Sequence, residues 1–199
     1  MNRRHVVLSL AASLGSLPLI GGCMQSKPQF KSIDLTGADY ARDFQLPDQN
    51  GQVRSLKDFR GKIVVVFFGY TQCPDVCPTT MAELAEAKRL LGPDGEKVQG
   101  ILVTVDPERD TAEVLKGYTA NFDPTFLALR GTTEQVAATT KDFKVFYKKV
   151  EGKTPTSYTM DHSAASFVYD TKGQLRLYTR YGSGAQALAD DLRLLLQQA

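Results

Sequence analysis

Two cysteines and one histidine carry most of the chemistry open to this chain. Cys73 and Cys77 stand in the run Cys73-Pro74-Asp75-Val76-Cys77-Pro78, and His162 stands in Met160-Asp161-His162-Ser163. The only other cysteine and histidine, Cys23 and His5, fall in an N-terminal segment that reads as an address. Scarcity narrows the question to what these three side chains do together. A four-residue offset on a helical turn sets two side chains on one face, about 5–6 Å apart at Cβ. That spacing lets the sulfurs share a metal or, with slight adjustment, close a disulfide.

Two thiolates and an imidazole make three ligands whose softness favours copper(I), with the nitrogen also acceptable to copper(II). Structural zinc is four-coordinate, and only a carboxylate such as Asp161 or Asp75 stands near enough in sequence to complete such a set. An open three-ligand site suits a metal that is handed on, since exchange needs a vacancy for the acceptor's donor atom. The same atoms support thiol–disulfide exchange, in which Cys73 attacks, Cys77 resolves and His162 tunes the thiolate. Dithiol oxidoreductases of the thioredoxin type place two residues between their cysteines; the third residue here widens the bite. A purely structural disulfide would close a tiny loop in a domain large enough to fold without one. Val76-Cys77-Pro78-Thr79 resembles the nucleophile of peroxiredoxins, but Pro74 replaces the threonine whose hydroxyl orients peroxide.

The elements around these residues follow from hydrophobic patterning. Lys62 to Gly69 is apolar after its first residue and rich in β-branched and aromatic side chains, as a strand buried on both faces should be. A loop from Tyr70 to Pro78 leads to a helix predicted over Thr79 to Leu91. Both sulfurs then lie near a helix N-terminus, where unpaired amides and the macrodipole predict thiols more acidic than free cysteine. A second buried strand is predicted over Val98 to Val105, and helices over Thr111 to Ala120, with Thr111 as N-cap, and Thr132 to Phe143. Strand-like runs Val145 to Val150 and Ala164 to Tyr169 flank a polar loop holding His162. A turn at Asp170-Thr171-Lys172-Gly173 leads to a strand over Gln174 to Tyr181, and a helix from Ala185 to Gln198 ends the chain. An extra N-terminal hairpin is signalled at Asp48-Gln49-Asn50-Gly51. The order predicts an α/β fold with a mixed central sheet and helices on both faces. In a sheet of the three-layer, thioredoxin-like kind the strand after the His162 loop would lie beside the strand delivering the cysteines, and His162 would then face them across a groove.

The 199 residues are 42% apolar and 23% charged, which fits one globular domain. Lysine and arginine number 24 against 22 acids, and Arg3 and Arg4 account for that whole surplus. A balanced domain argues against nucleic acid as partner. Residues 1–22 read as a lipoprotein signal: a basic start at Arg3 and Arg4, then an apolar stretch from Val6 to Ile20 that falls short of the roughly 20 residues needed to span hydrocarbon. Asn2 to Val7 also resembles a twin-arginine signal. Ile20-Gly21-Gly22-Cys23 resembles a bacterial lipobox, which implies an acylated Cys23 as mature N-terminus. Residues 23–38 then form a membrane-tethering linker, and residues 39–199 the functional domain. A two-chain lipid group anchors stably, so the domain is expected on the extracytoplasmic, periplasmic face of a bacterial membrane.

Three runs in order, Phe68 to Pro78, Val105 to Thr111 and Asp161-His162-Ser163, resemble the Sco/SenC family over about Asp39 to Gln198. The resemblance implies a membrane-tethered, thioredoxin-fold copper protein. It also implies a role in building the dinuclear copper centre of cytochrome c oxidase subunit II, or another respiratory copper protein, by copper delivery, thiol reduction or both. It places the metal ligands at Cys73, Cys77 and His162 and makes Cys73 and Cys77 a redox-active disulfide pair. A thiol-disulfide oxidoreductase or redox sensor without copper transfer is the alternative. The family often uses a transmembrane anchor where this chain has a lipobox. For Asp106 to Thr111 the sequence supports only a structural role, with Pro107 turning the chain and Arg109 pairing with Glu108.

Overall fold

The computed structural model describes residues 29–154 and 157–198. Along the chain come strands β1 (Ile33–Asp34), β2 (Leu46–Pro47), β3 (Val53–Arg54) and β4 (Ile63–Gly69), helix α1 (Val76–Leu90), strand β5 (Val98–Thr104) and helix α2 (Ala112–Ala120). Strand β6 (Leu127–Leu129), helix α3 (Thr133–Asp142), strands β7 (Tyr147–Glu151), β8 (Tyr158–His162), β9 (Ala165–Tyr169) and β10 (Leu175–Arg180), and helix α4 (Ala185–Leu196) follow.

Every residue of β4 and β5 is buried, as their unbroken apolar patterning predicts. They run parallel, with Ile63 opposite Val98 and Gly69 opposite Thr104, at the middle of a six-stranded sheet ordered β1-β10-β9-β4-β5-β6. β6 continues the parallel half, while β9, β10 and β1 add antiparallel strands on the other side. With helices on both faces, this is the expected mixed, thioredoxin-like α/β architecture. The pairing of β9 with β4 sets the strand after His162 next to the strand that delivers the cysteines. Helix signals also hold: Thr111 accepts from the Val114 amide, and Thr132 forms a reciprocal capping box with Gln135. The Asp48 carboxylate takes the Asn50 and Gln52 amides and so closes the expected turn between β2 and β3.

Four expectations need correction. Helix α1 begins at Val76 rather than Thr79, so Cys77 lies inside its first turn. Strand β6 has only three residues, too few to leave a periodic signal. The stretch before Ala164, expected as a polar loop, instead holds a strand, β8, which runs antiparallel to β7 with Tyr147 opposite His162 and Glu151 opposite Tyr158. Finally, the domain begins upstream of Asp39. Ile33 and Asp34 pair with Tyr178 and Leu177 on the sheet edge, and the fully buried Asp191 of α4 accepts the Lys31 and Ser32 amides at 2.7 and 2.8 Å. Backbone pairing of this kind is indifferent to side-chain composition, which is why the segment reads as linker. The signal, Cys23 and the first part of the expected tether lie outside the described residues.

Candidate metal centre

β4 ends at Gly69, where the chain must leave the sheet and start a helix within a few residues. The Cys73 amide bonds the Tyr70 carbonyl at 3.3 Å, turning the chain toward α1. First-turn amides of a helix have no partner within it. One of them, the Cys77 N–H, donates to Cys73 Sγ at 3.4 Å. Cys77 itself is buried and Cys73 half-buried.

Gly69 leaves room for this packing. A Cβ there would stand 2.8 Å from Cys77 Sγ and 2.7 Å from a ring carbon of Phe67. The sulfur thus occupies space that any other residue type would fill. Asp110, also fully buried, fixes the start of the cysteine loop: it accepts from the Thr71 amide and hydroxyl and from the Thr104 hydroxyl.

His162 closes β8 rather than sitting in a loop. Its Nδ1 lies 3.1 Å from the Ser163 carbonyl oxygen. A carbonyl only accepts, so in the neutral ring Nδ1 carries the proton and Nε2 is left with a free lone pair. Nε2 points at Cys77 Sγ, 3.4 Å away. Phe67 and Tyr70 hold the imidazole edge to face, each with its ring centroid at 5.9 Å. Burial lowers the pKa of His162, which keeps the ring neutral and available as a ligand.

The donor atoms of Cys73, Cys77 and His162 all lie within 4.8 Å of one another. Among the described residues no carboxylate joins this group, and Asp75 instead faces the Tyr181 hydroxyl at 3.5 Å. The set is therefore two sulfurs and one nitrogen, which fits a soft, low-coordinate ion and lacks the fourth ligand of a closed zinc site.

The expected acidity of the cysteines fails at Cys77. Burial pushes its thiol pKa up, and Cys73 and Asp110 add to the rise. Removal from water outweighs the helix terminus once the sulfur is packed beneath Gly69. A bound cation reverses the balance, because a coordinating thiol gives up its proton. The expected Arg109–Glu108 pair is also absent: Arg109 Nε bonds Asp106, while Glu108 lies 3.7 Å from Lys149. Gly69 and Asp110 are site-building residues that the sequence reading passed over. A glycine ending an apolar strand just before the cysteine loop was the available signal.

A family profile described as SCO1/SenC matches residues 34–197. The chain belongs to the SCO1/SenC family. An SCO2-like protein of Rickettsia felis is 33% identical over 173 residues, covering 85% of this chain and 84% of the relative. The structure of Bradyrhizobium japonicum ScoI with copper bound aligns with a TM-score of 0.71 at 40% identity, covering 77% of this chain and 98% of that one. The solution structures of apo Sco1 from Thermus thermophilus give 0.76 at 38% identity, over 86% and 99%. The SCO1/SenC match opens at Asp34, within β1, in agreement with a domain that starts before Asp39.

Proposed function

We propose that this protein carries one copper ion on Cys73 Sγ, Cys77 Sγ and His162 Nε2 and passes it to a respiratory copper protein, the dinuclear centre of cytochrome c oxidase subunit II being the intended acceptor. The observation that carries this reading is the meeting of three soft or borderline donors within 4.8 Å, with the imidazole proton held away on Nδ1. The half-exposed Cys73 supplies the face from which an acceptor's ligand enters. Membership in a family that includes a copper-bound relative supports the choice of metal. The lipobox at Ile20 to Cys23 supports acylation of Cys23 and work at the extracytoplasmic face of a bacterial membrane.

The asymmetric burial of the two cysteines favours a second role for the same atoms. Cys73, half-exposed, is placed to attack a partner's disulfide, and Cys77, buried one helical turn away, to resolve the mixed disulfide. Copper loading and thiol exchange then exclude each other, since oxidised sulfurs do not bind the ion.

Titration of the reduced full chain with copper(I) and copper(II) tests the leading role. One equivalent per chain, with sulfur-to-copper(II) charge-transfer absorption, is the expected result. Retention of zinc in preference to copper would overturn it.

A further inference from the structure

The hairpin that carries His162 has no backbone ladder to the main sheet: β7 and β8 form a two-stranded sheet of their own. Only its last residue is tied to that sheet through the backbone, by the two-residue link to β9, so side chains must hold the rest of the hairpin and with it the angle at which the imidazole stands. Tyr158, Met160 and His162 share the inward face of β8, with Tyr158 and Met160 buried beneath it.

The segment between β5 and α2 grips this face. The Asp106 carboxylate accepts the Tyr158 hydroxyl at 2.8 Å. Arg109 bonds the same carboxylate through Nε and donates from Nη1 to the Tyr158 carbonyl at 2.9 Å. Its guanidinium carbon also sits over the Tyr158 ring, 3.5 Å from the centroid. Tyr158 is thus held by carbonyl, ring and hydroxyl at once. The same Nη1 reaches the Gln72 side-chain oxygen at 3.1 Å, one residue before Cys73, and the cation stands 5.8 Å from the Tyr70 ring at the root of the cysteine loop.

We infer that Arg109 is a positioning residue: seated on Asp106, it bridges the cysteine loop and the His162 hairpin, so that nitrogen and sulfurs are in register before a metal arrives. A planar guanidinium is needed because ion pairing, stacking and two forked donations must coexist in one group. Lysine keeps the charge near Asp106 but cannot make both donations while stacked. The inference rests on the proposed copper site, and Arg109 itself touches no ligand atom in this scheme.

The test uses the reduced full chain with copper(I) as probe, its affinity read by competition with a chromophoric chelator, and compares the parent with Arg109→Lys, Tyr158→Phe, His162→Ala and the double variant Arg109→Lys/His162→Ala. Loss of a group bonded directly to a ligand weakens metal binding about 10–100-fold, and Arg109→Lys, one contact further out, should weaken it by about the lower end of that range. In the His162→Ala background the same change should add almost nothing, because there is no imidazole left to place. Without metal, amides of residues 158–162 should exchange faster in Arg109→Lys. Tyr158→Phe removes one hydroxyl, gives a smaller loss in the same direction, and carries the test should the arginine variant fail to fold. Unchanged affinity and exchange in both Arg109→Lys and Tyr158→Phe, or an equal copper loss from Arg109→Lys with and without His162, would overturn the inference. If the parent binds no copper, the proposed function fails on its own, and amide exchange alone then decides whether Arg109 holds the hairpin.

Discussion

His162 Nε2 lies 3.4 Å from Cys77 Sγ, although 85 residues separate them. With the ring proton on Nδ1, Nε2 offers its lone pair to this contact, and the protonated Cys77 thiol is the donor within reach. A metal that binds both atoms must displace the thiol proton. Proton and metal therefore compete for one pair, and the burial that enforces the contact sets the terms of the competition.

Replacing His162 by alanine separates the two roles of the cysteines. Copper binding should weaken by more than the roughly 10–100-fold typical of a lost outer-shell partner, since a direct ligand is gone. Disulfide exchange through Cys73 and Cys77 should continue, because neither sulfur is altered. Chelator competition and mixed-disulfide trapping on the same preparation check both expectations; copper affinity equal to the parent's would exclude His162 as ligand.

The pH dependence follows from two shifts of opposite sense. Burial raises the Cys77 pKa, so a proton must leave the sulfur on metal binding and copper affinity should climb with pH through neutrality. For the metal-free fold, a raised thiol value means that the neutral form is favoured. That contribution is complete below the unfolded thiol value of about 8.5 and is lost as pH rises above it. His162 is lowered, so its contribution is complete above the unfolded value of about 6.5 and is lost as pH falls below it. Urea midpoints of the reduced, metal-free chain should therefore drop on both sides of neutrality. His162→Ala should flatten the acid side only.

The cysteine pair and its helix were legible because chemistry and patterning coincide there: an all-apolar strand, a short loop and an amphipathic helix leave the sulfurs one place to go. His162 was found by scarcity rather than by structure. Its hairpin was not legible, because β7 is exposed along most of its length and Lys148, Lys149 and Glu151 show no buried face to give a period of two. Nor was the role of Arg109, whose partners Tyr158, Gln72 and Asp106 come from three segments, two of them remote in sequence. The sign of the Cys77 shift was missed for a related reason: helix position is visible in a sequence, whereas the depth of a sulfur beneath a strand is not.

Asp191 ties the two residues leading into β1 to the last helix. Asp191→Ala leaves the Lys31 and Ser32 amides without their acceptor, at about 1–3 kcal/mol for an unsatisfied buried donor, less where water reaches it. β1 should then leave the sheet edge while copper binding persists, since no contact of this clamp reaches the metal ligands. A lower urea midpoint, faster proteolysis within residues 29–38 and unchanged copper stoichiometry are the expected results. An unaltered proteolysis pattern would show that strand pairing with β10 holds the segment alone.

One substitution at two glycines should give opposite signs. At Gly117, inside α2, an added Cβ meets nothing within 4 Å, so Gly117→Ala should stabilise the protein by about 0.8–1 kcal/mol through helix propensity. At Gly69 the added methyl collides with Phe67 and with Cys77 Sγ and meets Leu102 at 3.4 Å. Phe67 and Leu102 are buried in close-packed surroundings and have little room to retreat. Overpacking of this kind costs about 1–3 kcal/mol, and the sulfur, although buried as deeply, is a single atom that can yield by turning about the Cys77 Cα–Cβ bond, whereas a ring or a branched side chain cannot. Gly69→Ala should therefore lower the melting temperature and also weaken copper binding, by shifting Cys77 Sγ away from His162. If it lowered stability alone, with copper affinity intact, the sulfur would have kept its place and the strand would have yielded instead.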